Sequence, residues 1–325
     1  MIKTYSGDGG AAELNVSEPP EALGQGVIWL DLVHPTREEE LLAERLLGVD
    51  LPTREELKDI EPSSRLYVEE GAVFMTASLV WRADSATPQL ADIAFILVGD
   101  RLVTIRYAEP RSFDLFAAAL KRQHNRCSEG RELLARLLET IVDRTAEILE
   151  HGVAKVDNLS LTVFIGRKAA SRRPPGFLED KLLDIASHHR LVSKARDSLV
   201  SLSRMVSFLR SVSEVRKDSE ANGLLKIVAR DVQSLAEHAA FVANNITFML
   251  DATLGLINVE QNAIIKIFSI ASVVFLPPTL VASIYGMNFH FMPELNWSFG
   301  YAYALGAMVV SAVVPFLFFR WKGWL

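Results

Sequence analysis

Three textures follow one another along the chain. Up to about residue 130, short apolar runs alternate with turn signals. Val27-Ile-Trp-Leu-Asp-Leu-Val33 reads as a buried strand, and the next helix opens at Thr36 with Glu38, Glu39 and Glu40 in its first turn. Two hairpin-like pairs follow, Arg65 to Glu70 with Ala72 to Trp81 about Gly71, and Asp92 to Val98 with Arg101 to Tyr107 about Gly99-Asp100. The pattern predicts one sheet with helices packed on it, an α+β domain over residues 1–130. After Ser128 the period becomes helical: Arg131 to Ile165 and Phe177 to Val215, parted by Gly166 to Gly176 with its Pro174-Pro175 pair, predict a helical hairpin over 131–222.

The third texture starts at Gly223, after which no proline occurs until Pro277. Leu225, Val228, Val232, Leu235, Ala239, Val242, Ile246, Met249, Thr253 and Leu256 alternate spacings of three and four, the mark of a narrow helical seam packed on other helices. No breaker separates this stalk (223–266) from the apolar window 267–285. A continuous helix from Leu224 to Tyr285 is expected to be roughly 90 Å long at 1.5 Å per residue. A second window, 301–319, follows a connection at 286–300, and residues 320–325 form a basic end. Each window approaches the ~20 apolar residues needed to cross a ~30 Å hydrocarbon core.

Charge sharpens this division. The chain has 325 residues, of which 34 are Lys or Arg and 40 Asp or Glu, for a net charge of −6. From Ile267 to Phe319 the only formal charge is Glu294. Lys266 precedes the first window, Arg320 and Lys322 follow the second, and residues 286–300 hold no Lys or Arg, so the positive-inside rule predicts a multi-pass protein with both termini cytoplasmic. Tyr285, Trp297 and Tyr301 suit one interfacial belt, and Trp321 with Trp324 the other.

The same composition excludes other classes. One cysteine, Cys127, makes no internal disulfide and no Cys-rich zinc site, and its expected role is inert packing in a reducing cytosol. Residues 1–10 lack the apolar stretch of a signal peptide, and the negative charge argues against nucleic acid as a partner. No phosphate-binding Gly-x-x-x-x-Gly-Lys-Ser/Thr run and no His-Glu-x-x-His occur. His188-His189 reads as a solvated helix face, and His124 and Cys127 have no supporting catalytic partners nearby in sequence. No enzyme is expected and no cofactor is implied.

The first window is more informative. Asn262, Ser269, Ser272, Thr279 and Ser283 recur on roughly one helical face. In a bilayer such groups either hold helices together or line water. Two spans cannot enclose a pore, so conduction requires several subunits with this stripe turned inward. Pro277-Pro278 remove backbone donors inside the window and free nearby carbonyls.

Ser283-Ile-Tyr-Gly286-Met287-Asn288-Phe-His-Phe-Met292-Pro293-Glu294-Leu295-Asn-Trp297-Ser-Phe-Gly300-Tyr301 resembles the signature of the CorA family of divalent-cation transporters. Glu260-Gln261-Asn262, the Ile264 to Ser269 run, Phe275-Leu-Pro-Pro-Thr279 and Trp324-Leu325 fit as well, and a looser likeness reaches through Trp29-Leu-Asp-Leu-Val33 and the Glu56 to Arg65 segment. The resemblance implies a funnel-shaped homopentamer in the cell (inner) membrane, with the stalk helix continuing as a pore-lining first span and the second span outside it. Under it, Gly286, Met287 and Asn288 form an outer selectivity filter. A ring of Asn288 amide oxygens would hold hydrated Mg²⁺ through its waters without trapping it. It further implies polar rings at Asn262, Ser272, Thr279 and Ser283, apolar constrictions at Ile265, Phe268 and Leu276, and attraction of cations by Glu294.

The implied activity is gated, passive Mg²⁺ influx, with Co²⁺ and Ni²⁺ as further substrates. Mg²⁺ is both substrate and regulatory ligand, bound between cytosolic domains to hold the channel closed, at carboxylates that no local motif identifies. Five chains would carry about −30, repulsion that Mg²⁺ would relieve. Two departures from the family stand out: His290 where relatives often carry an acid, and a basic hairpin tip, Arg167, Lys168, Arg172 and Arg173, suited to anionic lipid. The rivals are a ZntB-like zinc transporter, disfavoured by the complete Met292-Pro293-Glu294-Leu295 loop, and a membrane-anchored metal sensor or scaffold.

Overall fold

The first 106 residues build a seven-stranded sheet in the computed structural model of the chain, which describes all residues except 25, 60–64, 86, 123–126, 165–173, 175, 289, 291, 324 and 325, and omits the side chains of 58, 59, 294 and 295. The basic tip Arg167, Lys168, Arg172 and Arg173, together with His124 and Trp324, therefore lies outside the described residues. The strands are β1 (Ile2–Ser6), β2 (Ala11–Leu14), β3 (Val27–Val33), β4 (Leu66–Glu69), β5 (Ala72–Trp81), β6 (Gln89–Val98) and β7 (Arg101–Arg106). Their order is β2-β1-β3-β7-β6-β5-β4, with β3 and β7 parallel and every other pair antiparallel. Both expected hairpins form. Glu70 and Gly71 take φ of 50° and 80°, the two left-handed positions that a two-residue turn matched to strand twist requires.

Two strands, β1 and β2, were not expected from the sequence. They are short, polar in part and broken by Gly9-Gly10, and β1 is defined by its pairing with β3, Ile2 opposite Leu32. Strand identity there comes from tertiary pairing rather than local pattern.

Alternation divides the sheet into two buried faces. On one face Leu30, Leu32, Phe74, Ile96 and Ile105 pack under α1 (Arg37–Leu47) and α2 (Arg54–Asp59). Helix α1 begins with a reciprocal cap: Thr36 Oγ1 accepts from the Glu39 N–H at 3.3 Å, and the Thr36 N–H donates to Glu39 Oε2 at 2.8 Å. It stops at Gly48, whose φ of 72° suits a residue without Cβ. On the other face Trp29, Met75, Phe95 and Leu102 pack under α3 (Arg111–Leu120), α4 (Gly130–Phe164) and α5 (Phe177–Ser211). Helix α4 starts hard against β7. A Cβ on Gly130 would fall 2.5 Å from the Arg101 carbonyl carbon, so only glycine fits. Cys127 is buried, and burial pushes its thiol up to about 12, consistent with inert packing.

The long second helix stops earlier than its pattern suggests. Val212 is extended (ψ 131°), ending α5 at Ser211, and a short α6 (Ser213–Lys217) follows. His188 is half-buried on α5 rather than on an open face, and burial, with Lys155 adding to it, lowers its pKa. Helix α7 runs unbroken over Ser219–Tyr285. It starts four residues before Gly223 because Asp218 Oδ1 accepts from the N–H groups of Glu220 and Ala221, each at 3.0 Å. The expected seam is buried at Leu225, Val228, Val232, Ala239, Val242, Ile246 and Met249, in the core shared with α4 and α5. The chain divides into two compact units, Met1–Asp251 and Ala252–Leu325. The second holds the end of α7, a short 3-10 helix (Pro293–Asn296) and α8 (Gly300–Trp321).

Candidate functional site

In the second unit apolar side chains point outward. Phe268, Phe275, Leu276, Val309 and Val314 are between 58% and 71% exposed, whereas a core helix of a soluble protein would bury them. Both α7 and α8 contain an apolar window long enough to cross a membrane. The 22 residues of α8 rise about 33 Å at 1.5 Å each. Trp297 and Tyr301 sit near its start and Trp321 at its end, all largely exposed, as interfacial anchors would be.

The seven expected path residues of α7 share one face. Asn262, Ile265, Phe268, Ser272, Leu276, Thr279 and Ser283 fall within an arc of about 120° at 100° per residue. All seven are exposed in the single chain. Ile267, on another arc, is as open, so exposure does not select this face; the alternation of polar and apolar levels does. Two of the hydroxyls are oriented by the backbone: Ser272 Oγ donates to the Phe268 carbonyl at 2.9 Å and Thr279 Oγ1 to the Phe275 carbonyl at 2.7 Å. With the proton committed inward, each oxygen offers only lone pairs outward. Such acceptors suit the outward-pointing hydrogens of a hydrated cation. Pro277 and Pro278 lie inside the helix, and their missing N–H groups leave the carbonyls of Val273 and Val274 without their usual donors.

The helix closes at Tyr285. The Gly286 N–H donates to the Ala282 carbonyl at 2.9 Å, and the Met287 N–H to the Ile284 carbonyl at 3.3 Å. A Cβ on Gly286 would come within 3.1 Å of the Ala282 oxygen, so glycine allows this final turn to tighten. Asn288 is the first residue free of it, and it is exposed. Glu294 lies on the 3-10 helix, and its side chain is outside the described residues. A single chain thus presents one strip of this face and one Asn288, not a closed site.

Direct metal ligation is a separate question. Among the described residues no three His, Cys, Asp or Glu side chains converge to hold an ion. Like charge does accumulate on the first unit, where the sequence named no residue. Burial raises the pKa of Glu139 and of Asp143, one turn apart on α4; the charge of Asp143 adds to the effect on Glu139, and that of Asp231 on α7 raises both. The i, i+4 acid pair was readable as repulsion within a helix; Asp231 was not, because only the fold brings it near. A carboxyl whose folded pKa is raised stabilises the fold below its unfolded pKa and loses that contribution as pH rises through the folded value. The double variant Glu139→Gln, Asp143→Asn is therefore expected to unfold at a higher temperature than wild type at pH 7.5, with the difference shrinking towards pH 4. A lower midpoint for the variant at pH 7.5 would contradict this.

The sequence matches the family described as CorA-like Mg²⁺ transporter protein over residues 24–321. It is 35% identical over 298 residues to a Haemophilus influenzae protein named magnesium transport protein CorA, covering 92% of each chain. The Pasteurella multocida protein of the same name is 34% identical over 312 residues, covering 96% of each. Among solved structures, the complete CorA magnesium transporter of Methanocaldococcus jannaschii aligns over 100% of this chain and 99% of its own, with a TM-score of 0.74 at 19% identity. The ZntB cytoplasmic domain of Vibrio parahaemolyticus aligns over 79% of this chain and 98% of its own, at 0.56 and 10%. At such identities the structural matches speak for the fold alone, and the magnesium transport proteins are the relatives similar in sequence.

Proposed function

The chain belongs to the CorA-like family of Mg²⁺ transporter proteins, and from that premise we propose that it is a gated, passive pathway for Mg²⁺ influx across the cell (inner) membrane. The working unit is a homopentamer with both termini in the cytoplasm, in which five copies of the α7 strip enclose the path. Gly286, Met287 and Asn288 form its outer filter, with Glu294 beside it as a source of negative potential. The observation that carries this reading is the alternation of polar and apolar levels on one face of an unbroken helix that ends at an exposed Asn288.

The chemistry follows from how Mg²⁺ holds water. The ion dehydrates reluctantly, so a path of neutral acceptors can accept hydrogen bonds from its water shell. Asn288 Oδ1, Thr279 Oγ1 and Ser272 Oγ supply such acceptors, and Leu276, Phe268 and Ile265 supply dry constrictions that open and close by wetting. Co²⁺ and Ni²⁺, which share the charge, are further substrates. A membrane potential of 100 mV contributes roughly 4.6 kcal/mol to a divalent ion at ~2.3 kcal/mol per charge, so no nucleotide is needed. Cytosolic Mg²⁺ closes the path. The absence of a converging ligand set among the described residues of one chain favours sensor sites shared between subunits, where the acidic face at Glu139, Asp143 and Asp231 offers carboxylates.

The test is flux. Wild-type protein reconstituted in liposomes with an inside-negative potential is expected to take up Mg²⁺, more slowly when Mg²⁺ is also placed at the cytosolic face. No uptake by a correctly assembled oligomer would sink the proposal in favour of a membrane-anchored sensor. Zn²⁺ flux exceeding Mg²⁺ flux would overturn the ion assignment.

A further inference from the structure

Strands β5 and β7 run parallel, two places apart, and both finish at the same end of the sheet. Beyond that end lies a cavity of about 630 Å³, walled by the residues after β5, the start of α3 and the middle of α4. This volume is typical of small-molecule sites, and crevices beyond the carboxyl ends of parallel strands are where α/β sheets commonly hold ligands.

The lining is cationic in a chain that carries a net charge of −6. Arg82, Arg111 and Arg144 face Asp84 and Glu109. Among the described residues Arg111 has no carboxylate partner, and Arg82 lies over the Trp81 ring at 4.3 Å instead of pairing. Arg144 is held in place, 2.7 Å from Glu147 and 3.6 Å from Asp84, and only 17% of its side chain is exposed. Of the two acids, Asp84 is turned largely to solvent, and Glu109 stands 3.9 Å from His34.

Two further features point to an anion. Ser112 is 4% exposed and lines the cavity, yet its hydroxyl makes no hydrogen bond among the described residues. Ser112 Oγ is not one of the fully enclosed unpaired side-chain atoms among the described residues, so it keeps an opening to the cavity, where a partner can sit. The ten-residue helix α3 also opens there behind Pro110, which supplies no side-chain cap, so the N–H groups of Arg111 and Ser112 have no acceptor among the described residues.

We propose that this cavity binds a phosphate-bearing small molecule, its phosphate seated between the Arg111 and Arg82 guanidiniums, the start of α3 and the Ser112 hydroxyl. A tetrahedral, multiply charged group uses all these donors at once, which a single carboxylate does not. The volume leaves room beside Trp81 for an organic portion.

Equilibrium dialysis of the full-length protein in detergent, in Mg²⁺-free buffer with EDTA, against radiolabelled pyrophosphate and AMP tests this. Saturable binding of at least one probe is expected. The double variant Arg82→Gln, Arg111→Gln should weaken it by about tenfold or more, Ser112→Ala by less, and Lys226→Gln, on the surface of α7, should leave it unchanged. Preference for AMP would assign an organic phosphate, and preference for pyrophosphate an inorganic one. Absence of saturable binding of both probes at millimolar concentration, or undiminished binding by the folded double variant, would overturn the proposal.

Discussion

Replacing Asn288 with alanine is expected to reduce Mg²⁺ uptake into liposomes by two orders of magnitude or more while leaving the oligomer assembled. The reasoning starts from the hydrated ion, whose waters present hydrogens to the filter. In the proposed pentamer each Asn288 supplies one acceptor, and a net hydrogen bond contributes about 1 kcal/mol, so five sum to roughly 5 kcal/mol, or more than three decades if additive. Ring members are coupled, which makes about a hundredfold the safer lower figure. The side chain is exposed and lies beyond the last turn of α7, so its removal disturbs no packing. Asn288→Asp separates binding from passage: five carboxylates would hold the ion more tightly and release it more slowly, so uptake should saturate at lower Mg²⁺ and run at a lower maximum. Uptake by Asn288→Ala within twofold of wild type would remove Asn288 from the filter.

The proposed path face was legible in the sequence because one helix carries it. Where a helix has no break, residue number fixes angle, and the positions from Asn262 to Ser283 needed no tertiary information to be grouped. Closure of the proposed path was not legible in this way, since it would need further copies of the chain, and the resemblance to a family stood in for them. The first unit divides similarly. Strands β3 to β7 announce themselves through β-branched runs and turn residues, and α1 through its cap. Val212 ends α5 with neither glycine nor proline to mark it; its N–H turns back to the Leu209 carbonyl at 3.2 Å, a choice made by tertiary packing. The cavity below α3 was equally silent, because Arg82, Ser112 and Arg144 meet only after three separate elements are assembled.

The largest stability effect is expected at a pair that the sequence half revealed. Asp31 interrupts an otherwise apolar strand, and an acid there demands a partner. The partner is Arg106, brought alongside by the parallel register in which Asp31 stands opposite Thr104. Arg106 Nη2 donates to Asp31 Oδ2 at 2.9 Å and its Nε to Oδ1 at 3.0 Å, while Thr104 Oγ1 donates to Oδ1 at 2.8 Å and accepts from Trp29 Nε1 at 2.9 Å. Asp31 and Arg106 are 1% and 2% exposed, and the guanidinium lies 4.7 Å from the Phe113 ring centre, beneath α3. Asp31→Ala would leave that cation buried and unpaired, at a cost of about 3–5 kcal/mol, against a total stability of about 5–15 kcal/mol for a typical domain. The variant should therefore yield little folded protein, and what is recovered should unfold well below wild type. Asp31→Asn keeps an acceptor for Thr104 and should fall between the two. The double variant Asp31→Leu, Arg106→Met removes both charges together and should recover much of the loss, since apolar groups of similar volume can replace a buried ion pair. Because the pair belongs to the first unit and not to the proposed path, the recovered double variant should also take up Mg²⁺. An unfolding midpoint for Asp31→Ala within two degrees of wild type would show that the pair contributes little, and the cohesion of β3, β7 and α3 would then rest on apolar packing alone.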